Sequence, residues 1–122
     1  MTSQSAWDVF QQTCPSRTSL ARIANRWTAM IVIALDAGPL RFGELRTGVA
    51  GISAKVLTET LRDLERDGLL HRTAYAQVPP RVEYELTALG RSLHEPMRAL
   101  QRWAQQHIPE VLEARDAYDA TR

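Results

Sequence analysis

The stretch FGELRTGVAGISAKVLTETLRDLERDGL, residues 42–69, decides the fold of this chain. It predicts a short helix over 42–47, a glycine-containing turn over 48–51, and a longer helix that starts near Ser53 and runs to Asp67. Ser53 is a favourable N-cap, and the glycine that follows Asp67 is a favourable C-terminal stop. Two helices joined in this way are typical of a helix-turn-helix unit, whose second helix lies in the major groove of DNA.

The second helix of this unit has two distinct faces. Leu57, Leu61 and Leu64 are spaced at i, i+4 and i+7, which predicts a stripe that packs on a core. Polar side chains and two free backbone N–H groups at the helix start are candidates for base or phosphate contacts. These candidates are Ser53, Ala54, Lys55, Thr58, Glu59 and Arg62. The alternative is that these side chains form a solvated helix face with internal ion pairs. The position of the helix, after a turn and before a predicted hairpin, favours DNA contact.

The hydrophobic period changes after this helix. Residues 70–76 and 81–86 alternate apolar and polar side chains around Val78-Pro79-Pro80, which predicts a β-hairpin, the wing of a winged helix. Arginines on the wing and beside the first helix are candidates for contacts to the DNA backbone or minor groove. They are Arg41, Arg46, Arg72 and Arg81, of which Arg81 is expected to project from the hairpin tip. Surface charges without a binding role are the alternative for all four.

The segment before this unit predicts three further helices. A short helix is expected over 4–13 and a break at 14–15, because a residue before proline avoids the helical conformation. Thr18 or Ser19 is then the expected cap of a second helix. Residues 27–37 are apolar almost all round, which predicts a central buried helix.

The C-terminal segment predicts helix over 88–118, capped by Thr87, kinked or divided at Pro96 and interrupted at Pro109. Large apolar side chains are concentrated in this helix and in the predicted helix over 4–13. They are Trp7, Phe10, Leu93, Met97, Leu100 and Trp103. Packing between two protomers would bury them, so we expect a homodimer that spaces two such helices for a palindromic operator. The alternative is that they complete the core of a single chain.

Composition fits a single soluble domain over 1–122, with a core over about 14–93. The chain has 44% hydrophobic residues and a net charge of +1, values that are ordinary for a globular protein. One cysteine and three scattered histidines offer no metal-ligand spacing, and no phosphate loop or nucleophile motif is present. We therefore expect no metal, no cofactor, no enzymatic activity and no membrane segment, and a cytoplasmic location.

Several ordered motifs resemble one known family. RFGEL at 41–45, GIS-K-LT-LR-LE-DGL over 51–69 and R-Y-VPPRVEYELT-LG-SL over 72–93 are similar to HxlR-type winged-helix transcriptional regulators, within the MarR-like superfamily. Cys14-Pro15, the RW pair at 26–27 and Trp103 extend the resemblance. IANRW at 23–27 departs from the family, which more often has two glycines before a lysine and the tryptophan. The resemblance implies a bacterial, dimeric DNA-binding regulator.

Cys14 is a candidate sensor. It lies at a predicted break between helices, near Arg17 and a helix N-terminus, and both features favour the reactive thiolate. The resemblance implies sensing of electrophiles or oxidants at this place. An inert, buried thiol is the alternative.

Together these features predict a mainly α protein with a small β-hairpin, a winged helix-turn-helix flanked by dimerisation helices. The predicted function is a dimeric repressor that binds double-stranded DNA and is switched at Cys14. The alternatives are a regulator switched by a noncovalent small-molecule effector and a protein-interaction module.

Overall fold

The helix predicted to start near Ser53 is present in the computed structural model, which describes residues 6–122. It spans Ala54–Arg66, and the Ser53 Oγ accepts a hydrogen bond of 3.1 Å from the third N–H of the helix. Gly68 ends it with a φ of +79°, a left-handed conformation that favours glycine. The local capping signals in the sequence therefore predicted both ends of this helix.

The described residues form six α-helices and three strands. In chain order these are α1 (Pro15–Ile23), α2 (Thr28–Ala34), β1 (Leu40–Arg41), α3 (Phe42–Gly48), α4 (Ala54–Arg66), β2 (Leu70–Tyr75), β3 (Arg81–Leu86), α5 (Ala88–Arg91) and α6 (His94–Ala120). A 3₁₀ turn over Leu35–Ala37 extends α2, so the predicted central helix over 27–37 is present with a tighter last turn. The architecture confirms the predicted fold, a mainly helical winged helix-turn-helix.

The three strands form one antiparallel sheet in the order β1-β3-β2. β2 and β3 make the predicted hairpin, with Leu70 opposite Leu86 at its base and Tyr75 opposite Arg81 at its tip. The sequence did not predict β1, because two residues are too short to show a period. β1 pairs Leu40 with Tyr84 and joins the start of α3 to the hairpin.

The core lies between α2, α3, α4 and the base of the sheet. Its buried apolar side chains include the three leucines predicted on α4. They are Ile31, Val32, Leu35, Leu45, Val49, Ile52, Leu57, Leu61, Leu64, Leu69, Leu70, Leu86 and Met97. Burying each large side chain contributes about 1.5–3 kcal/mol. Gly90 lets α5 pack closely on this core, because a Cβ there would overlap the carbonyl oxygen of Leu69.

The helix predicted over 4–13 is wrong for the part that the structure describes. Residues 7–13 contain turns and a bend but no helix, while residues 4 and 5 lie outside the described residues. The Asp8 carboxylate accepts a hydrogen bond of 2.9 Å from the N–H of Phe10, and the Asp8 carbonyl accepts one from Gln11. An aspartate that bonds the backbone two residues ahead stabilises a turn in competition with a helix.

Two further helix boundaries differ from the prediction. α1 begins at Pro15 with Cys14 as its N-cap, and not at Thr18 or Ser19, because proline is well suited to the first position of a helix. The predicted division of the C-terminal helix is present, but it falls between Arg91 and His94. Pro96 itself lies in the first turn of α6, where a missing N–H costs no helical hydrogen bond. Pro109 lies inside α6 and does not end it.

Among residues 6–122, no helix combines the length and the apolar character needed to cross a membrane.

Candidate nucleic-acid interface

α4 presents one buried face and one exposed face. Leu57 and Leu64 are fully buried, whereas Lys55, Glu59 and Arg62 are exposed on the opposite side. The two sets follow from the 3.6-residue period of the helix. The exposed side chains form a polar surface along the first two and a half turns, and we call Lys55, Thr58, Glu59 and Arg62 the α4 polar face.

The start of α4 limits what two of the predicted residues can donate. The Thr58 hydroxyl donates a hydrogen bond of 2.8 Å to the carbonyl of Ala54, so only its oxygen lone pairs and its methyl group face outward. Ser53 is exposed, but its Oγ is engaged as the N-cap. The remaining free donors of this region are the first backbone N–H groups of the helix, together with Lys55 and Arg62.

A cleft of about 350 Å³ separates α4 from the wing. Thr58, Arg62 and Glu65 line it from α4, and Arg72 and Tyr84 line it from the sheet. Arg62 of α4 and Arg72 of β2 therefore line the same cleft, a proximity that the sequence did not predict. Two arginines beside one groove provide positive charge for a phosphate backbone or a base edge.

Arg81 does not project freely from the hairpin tip as predicted. Its guanidinium lies over the Tyr75 ring, 4.1 Å from the centroid, and its Nε is 3.6 Å from an oxygen of Glu83. Strand pairing explains this, because Tyr75 and Arg81 are directly opposite each other and their side chains share a face. Arg81 remains a wing residue, but it is held along the strand.

Arg41 is the N-cap of α3 and Arg46 lies in its last turn, and both are exposed. The backbone N–H of Arg41 donates a hydrogen bond of 2.8 Å to Glu44 Oε1, which fixes the start of α3. The guanidinium groups lie outside the cleft between α4 and the wing. Their position fits contacts to the DNA backbone from outside the groove.

Cys14 caps α1 and its sulfur is surrounded by hydrogen-bond donors. The Ser16 hydroxyl lies 3.0 Å from the Cys14 Sγ, and the N–H of Asp8 donates to the same sulfur over 3.3 Å. The hydroxyl of Ser16 is the main cause that lowers the pKa of the Cys14 thiol, followed by backbone N–H groups of Asp8, Ser16 and Arg17. Arg17 therefore acts through its backbone rather than through its charge, and sequence reasoning missed Ser16.

The side chains predicted for a dimer interface fall into two groups. Met97 is 3% exposed and belongs to the core of the monomer, with Leu93 packed against that core. Trp7, Phe10, Leu100 and Trp103 are exposed. The exposed set continues along α6 beyond the predicted residues, with Ile108 and Leu112 at 42% and 48% exposure.

An ion pair that sequence reasoning missed joins α1 to α4. The Arg22 Nη1 donates to both carboxylate oxygens of Asp67, over 3.0 and 2.9 Å. The two residues are 45 positions apart, so no local pattern could have revealed the pair.

Within residues 6–122, no group of three or more His, Cys, Asp or Glu side chains is arranged to hold a metal ion.

Comparison with known proteins identifies the family. The model of the HxlR-like helix-turn-helix family matches residues 22–112. The chain belongs to this family. YtfH of Escherichia coli strain K12, named an uncharacterized HTH-type transcriptional regulator, is 45% identical over 109 residues, covering 89% of this chain and 86% of YtfH.

Solved structures agree with this assignment to the HxlR family. YtfH from Salmonella typhimurium has a TM-score of 0.84 at 41% identity and covers 90% of this chain and 98% of its own. The redox regulator HypR in its oxidized form has a TM-score of 0.71 at 38% identity, with coverages of 76% and 96%. The chain is thus a DNA-binding transcription regulator of the HxlR family, and its relatives are regulators rather than enzymes.

Proposed function

We propose that this HxlR-family chain is a dimeric, cytoplasmic repressor that binds a palindromic operator and is released by modification of Cys14. The observation that carries the DNA-binding surface is the α4 polar face, which is exposed beside the wing while the opposite leucine stripe is buried. A helix anchored in this way presents its polar side chains on a rigid support. Lys55 and Arg62 are assigned to base edges or phosphates, and Arg72 to the backbone across the cleft.

The remaining predicted contacts have supporting roles in this proposal. Arg41 and Arg46 contact phosphates from outside the groove, and the N–H groups of Ser53 and Ala54 bind a phosphate at the start of α4. Thr58 offers its methyl group and lone pairs to a base, and Glu59 accepts from a base amino group or orients a neighbouring cation. Arg81, held on Tyr75, presents the outer edge of its guanidinium at the tip of the wing.

The proposal of a homodimer rests on α6. This helix has 27 residues and is about 40 Å long, but Met97 is its one buried residue. Beyond Met97 an apolar stripe that includes Leu100, Ile108 and Leu112 stays exposed on one side of α6. Trp103, also exposed, lies at the edge of this stripe. An exposed apolar stripe of this length favours packing against another helix. A second copy of α6 supplies a matching stripe, and Trp7 and Phe10 extend the apolar surface.

The proposed switch rests on the chemistry of Cys14. Its lowered thiol pKa increases the thiolate fraction at neutral pH, and the thiolate is the form that attacks electrophiles. An electrophile adds to the sulfur, with loss of the thiol proton. An oxidant such as diamide takes two electrons and two protons from a pair of thiols, and because each chain has one cysteine, the disulfide joins two chains or one chain and a small thiol.

The test is a selection of bound fragments from the source genome, with and without diamide, using wild-type protein and Cys14→Ser. We expect the wild type to enrich palindromic sites and to lose them on oxidation, and Cys14→Ser to retain them under both conditions. Failure to enrich any site at low salt would overturn the DNA-binding proposal. Equal loss of binding by wild type and Cys14→Ser in diamide would overturn the switch alone.

A second candidate switch is a noncovalent effector, and one cavity favours it. A cavity of about 480 Å³ lies between α2 and α6, a volume suited to a small ligand. Its wall is mostly apolar, with Met30, Ile33 and Leu100, and Gln101 and Gln105 supply amides but no charge. This lining fits a neutral, apolar compound with one hydrogen-bonding group.

The variant Ala34→Trp would fill this cavity and separates the two switches. If the cavity is the switch, the wild type is released by a neutral apolar inducer and not by diamide, and the variant is released by neither. If Cys14 is the switch, the variant responds as the wild type does. A protein-interaction role in place of DNA binding would appear as no operator shift by any of these proteins.

A further inference from the structure

The Arg22–Asp67 pair occupies a junction of three helices. Arg22 lies in the last turn of α1, and Asp67 is the C-cap of α4. The carbonyl of Arg22 also accepts a hydrogen bond of 3.1 Å from the hydroxyl of Thr28, the first residue of α2. Thr28 is 1% exposed, and this bond between its side chain and the backbone of Arg22 is partly buried. Arg22 is therefore held at its backbone by α2 and at its side chain by α4.

The chemistry of Asp67 explains why it needs this partner. A carboxylate at the C-terminus of a helix faces the negative end of the helix dipole, which is unfavourable without a nearby cation. Arg22 donates to both oxygens of Asp67, and this interaction raises the pKa of the Arg22 guanidinium above its ordinary value. Asp63, one turn earlier on α4, adds to the same attraction. The C-terminal end of α4 is thus tied to α1 by a directional contact rather than by a diffuse surface charge.

We propose that Arg22 and Asp67 are positioning residues of the DNA-binding surface, which fix the end of α4 so that the α4 polar face keeps the orientation the operator requires. The proposal rests on the DNA-binding function proposed above. Leucine packing holds one side of α4 but permits small rotations, whereas an ion pair at one end, in which the Arg22 Nη1 contacts both oxygens of Asp67, restricts them. The polar face begins at Lys55, at the other end of the helix, so a small rotation about the anchored end moves it most.

Operator affinity in a double-mutant cycle tests this proposal. The variants are Arg22→Met, Asp67→Asn and the double variant. The control is Arg98→Met, which breaks a similarly exposed ion pair between Arg98 and Asp36 that does not involve α4. We expect each single variant to weaken binding roughly tenfold and the double variant to lose no more than either, because the two residues act as one unit. Arg98→Met is expected to bind as the wild type does.

Salt dependence and thermal unfolding separate positioning from other roles. Neither residue is proposed to touch a phosphate, so the slope of log affinity against log salt is expected to stay that of the wild type. A slope reduced by about one in Arg22→Met, with unchanged binding by Asp67→Asn, would make Arg22 a direct DNA contact and overturn the proposal. Lower melting temperatures with unchanged operator affinity, measured well below melting, would make the pair purely structural and also overturn it.

Operator binding by the wild type separates the proposed DNA-binding function from the proposed role of Arg22 and Asp67. Absence of operator binding by the wild type would overturn the proposed function and this inference with it. Wild-type binding together with unchanged affinity in both single variants would overturn this inference alone. Arg22→Lys keeps the charge but replaces the planar guanidinium with a flexible ammonium, and it serves if Arg22→Met does not fold. We expect its affinity to lie between those of the wild type and Asp67→Asn.

Discussion

α4 and α6 are both amphipathic helices, but only α4 buries its apolar face within the chain. The leucines of α4 are at most 2% exposed, whereas Leu100 and Trp103 of α6 are 58% and 57% exposed. The apolar face of α4 is buried in the core, and its exposed polar face is available to a charged partner such as DNA. The apolar face of α6 is exposed beyond Met97, and this favours packing against another protein surface.

The largest expected difference between the two helices is in monomer stability. Leu57→Ala removes a fully buried side chain and is expected to lower the free energy of unfolding by about 2–5 kcal/mol. Leu100→Ala, the same substitution at an exposed site of α6, is expected to have little effect at protein concentrations below those that support a dimer. Urea denaturation of both variants at two concentrations checks this, and equal losses at the lower concentration would contradict the contrast.

Association should depend on the apolar stripe of α6. Leu112→Glu places a carboxylate in the proposed interface, and we expect a rise in the dimer dissociation constant of about a hundredfold, or about 2.8 kcal/mol. Gln106→Glu adds the same charge at an exposed site of α6 outside the stripe and is the matched control. Sedimentation measures both. A monomeric wild type at micromolar concentration, or equal dissociation by the two variants, would show that the stripe is not the interface.

DNA affinity should depend on the α4 polar face and not on the last turn of the helix. Arg62→Ala is expected to weaken operator binding by about 1–3 kcal/mol if Arg62 contacts a guanine. Arg66→Ala removes the same charge from the last turn of α4, where Arg66 lines a groove against α1, and is expected to bind nearly as the wild type does. Gel shifts at several salt concentrations compare the two. Equal losses would indicate a general charge effect and would remove Arg62 from the site.

The smallest expected effect concerns the proposed switch at Cys14. Its modification acts either on DNA binding by α4 or on dimerisation through α6. Ser16→Ala removes the main cause that lowers the pKa of the Cys14 thiol, so the pH at which alkylation by iodoacetamide accelerates should move upward. Alkylation at neutral pH should therefore slow by a few-fold. An unchanged pH profile would show that Ser16 does not activate the thiol.

The alkylated protein then reports where the signal goes. Loss of operator binding with an unchanged sedimentation coefficient would place the effect on α4. Dissociation of the dimer would place it on α6.

Local signals explain what could be predicted from the sequence. The cap at Ser53, the glycine at Gly68 and the leucine period between them each act within a few residues, so α4 and its faces could be read directly. The hairpin could be read for the same reason, from the alternation on either side of Val78-Pro79-Pro80. The family resemblance added the expected role of these elements and of Cys14.

Features that depend on tertiary contacts were missed. The Arg22–Asp67 pair joins residues 45 positions apart, and the stacking of Arg81 on Tyr75 depends on the register of β2 and β3. The turn at Asp8 replaced a predicted helix, because one side chain bonded the backbone in competition with helical hydrogen bonds. These errors concern contacts that hold the site in place, and the assignment of residues to the DNA contact stays a prediction.

Methylation protection of guanine N7 on the selected operator tests the central claim most directly, because N7 lies in the major groove. We expect two clusters of protected guanines, separated by about one helical turn of 10–10.5 base pairs, as two α4 helices of a dimer require. Arg62→Ala should lose protection at one symmetric position in each cluster. Protection that is absent from the major groove, or that is identical in Arg62→Ala and the wild type, would contradict the assignment of α4 as the DNA-reading helix.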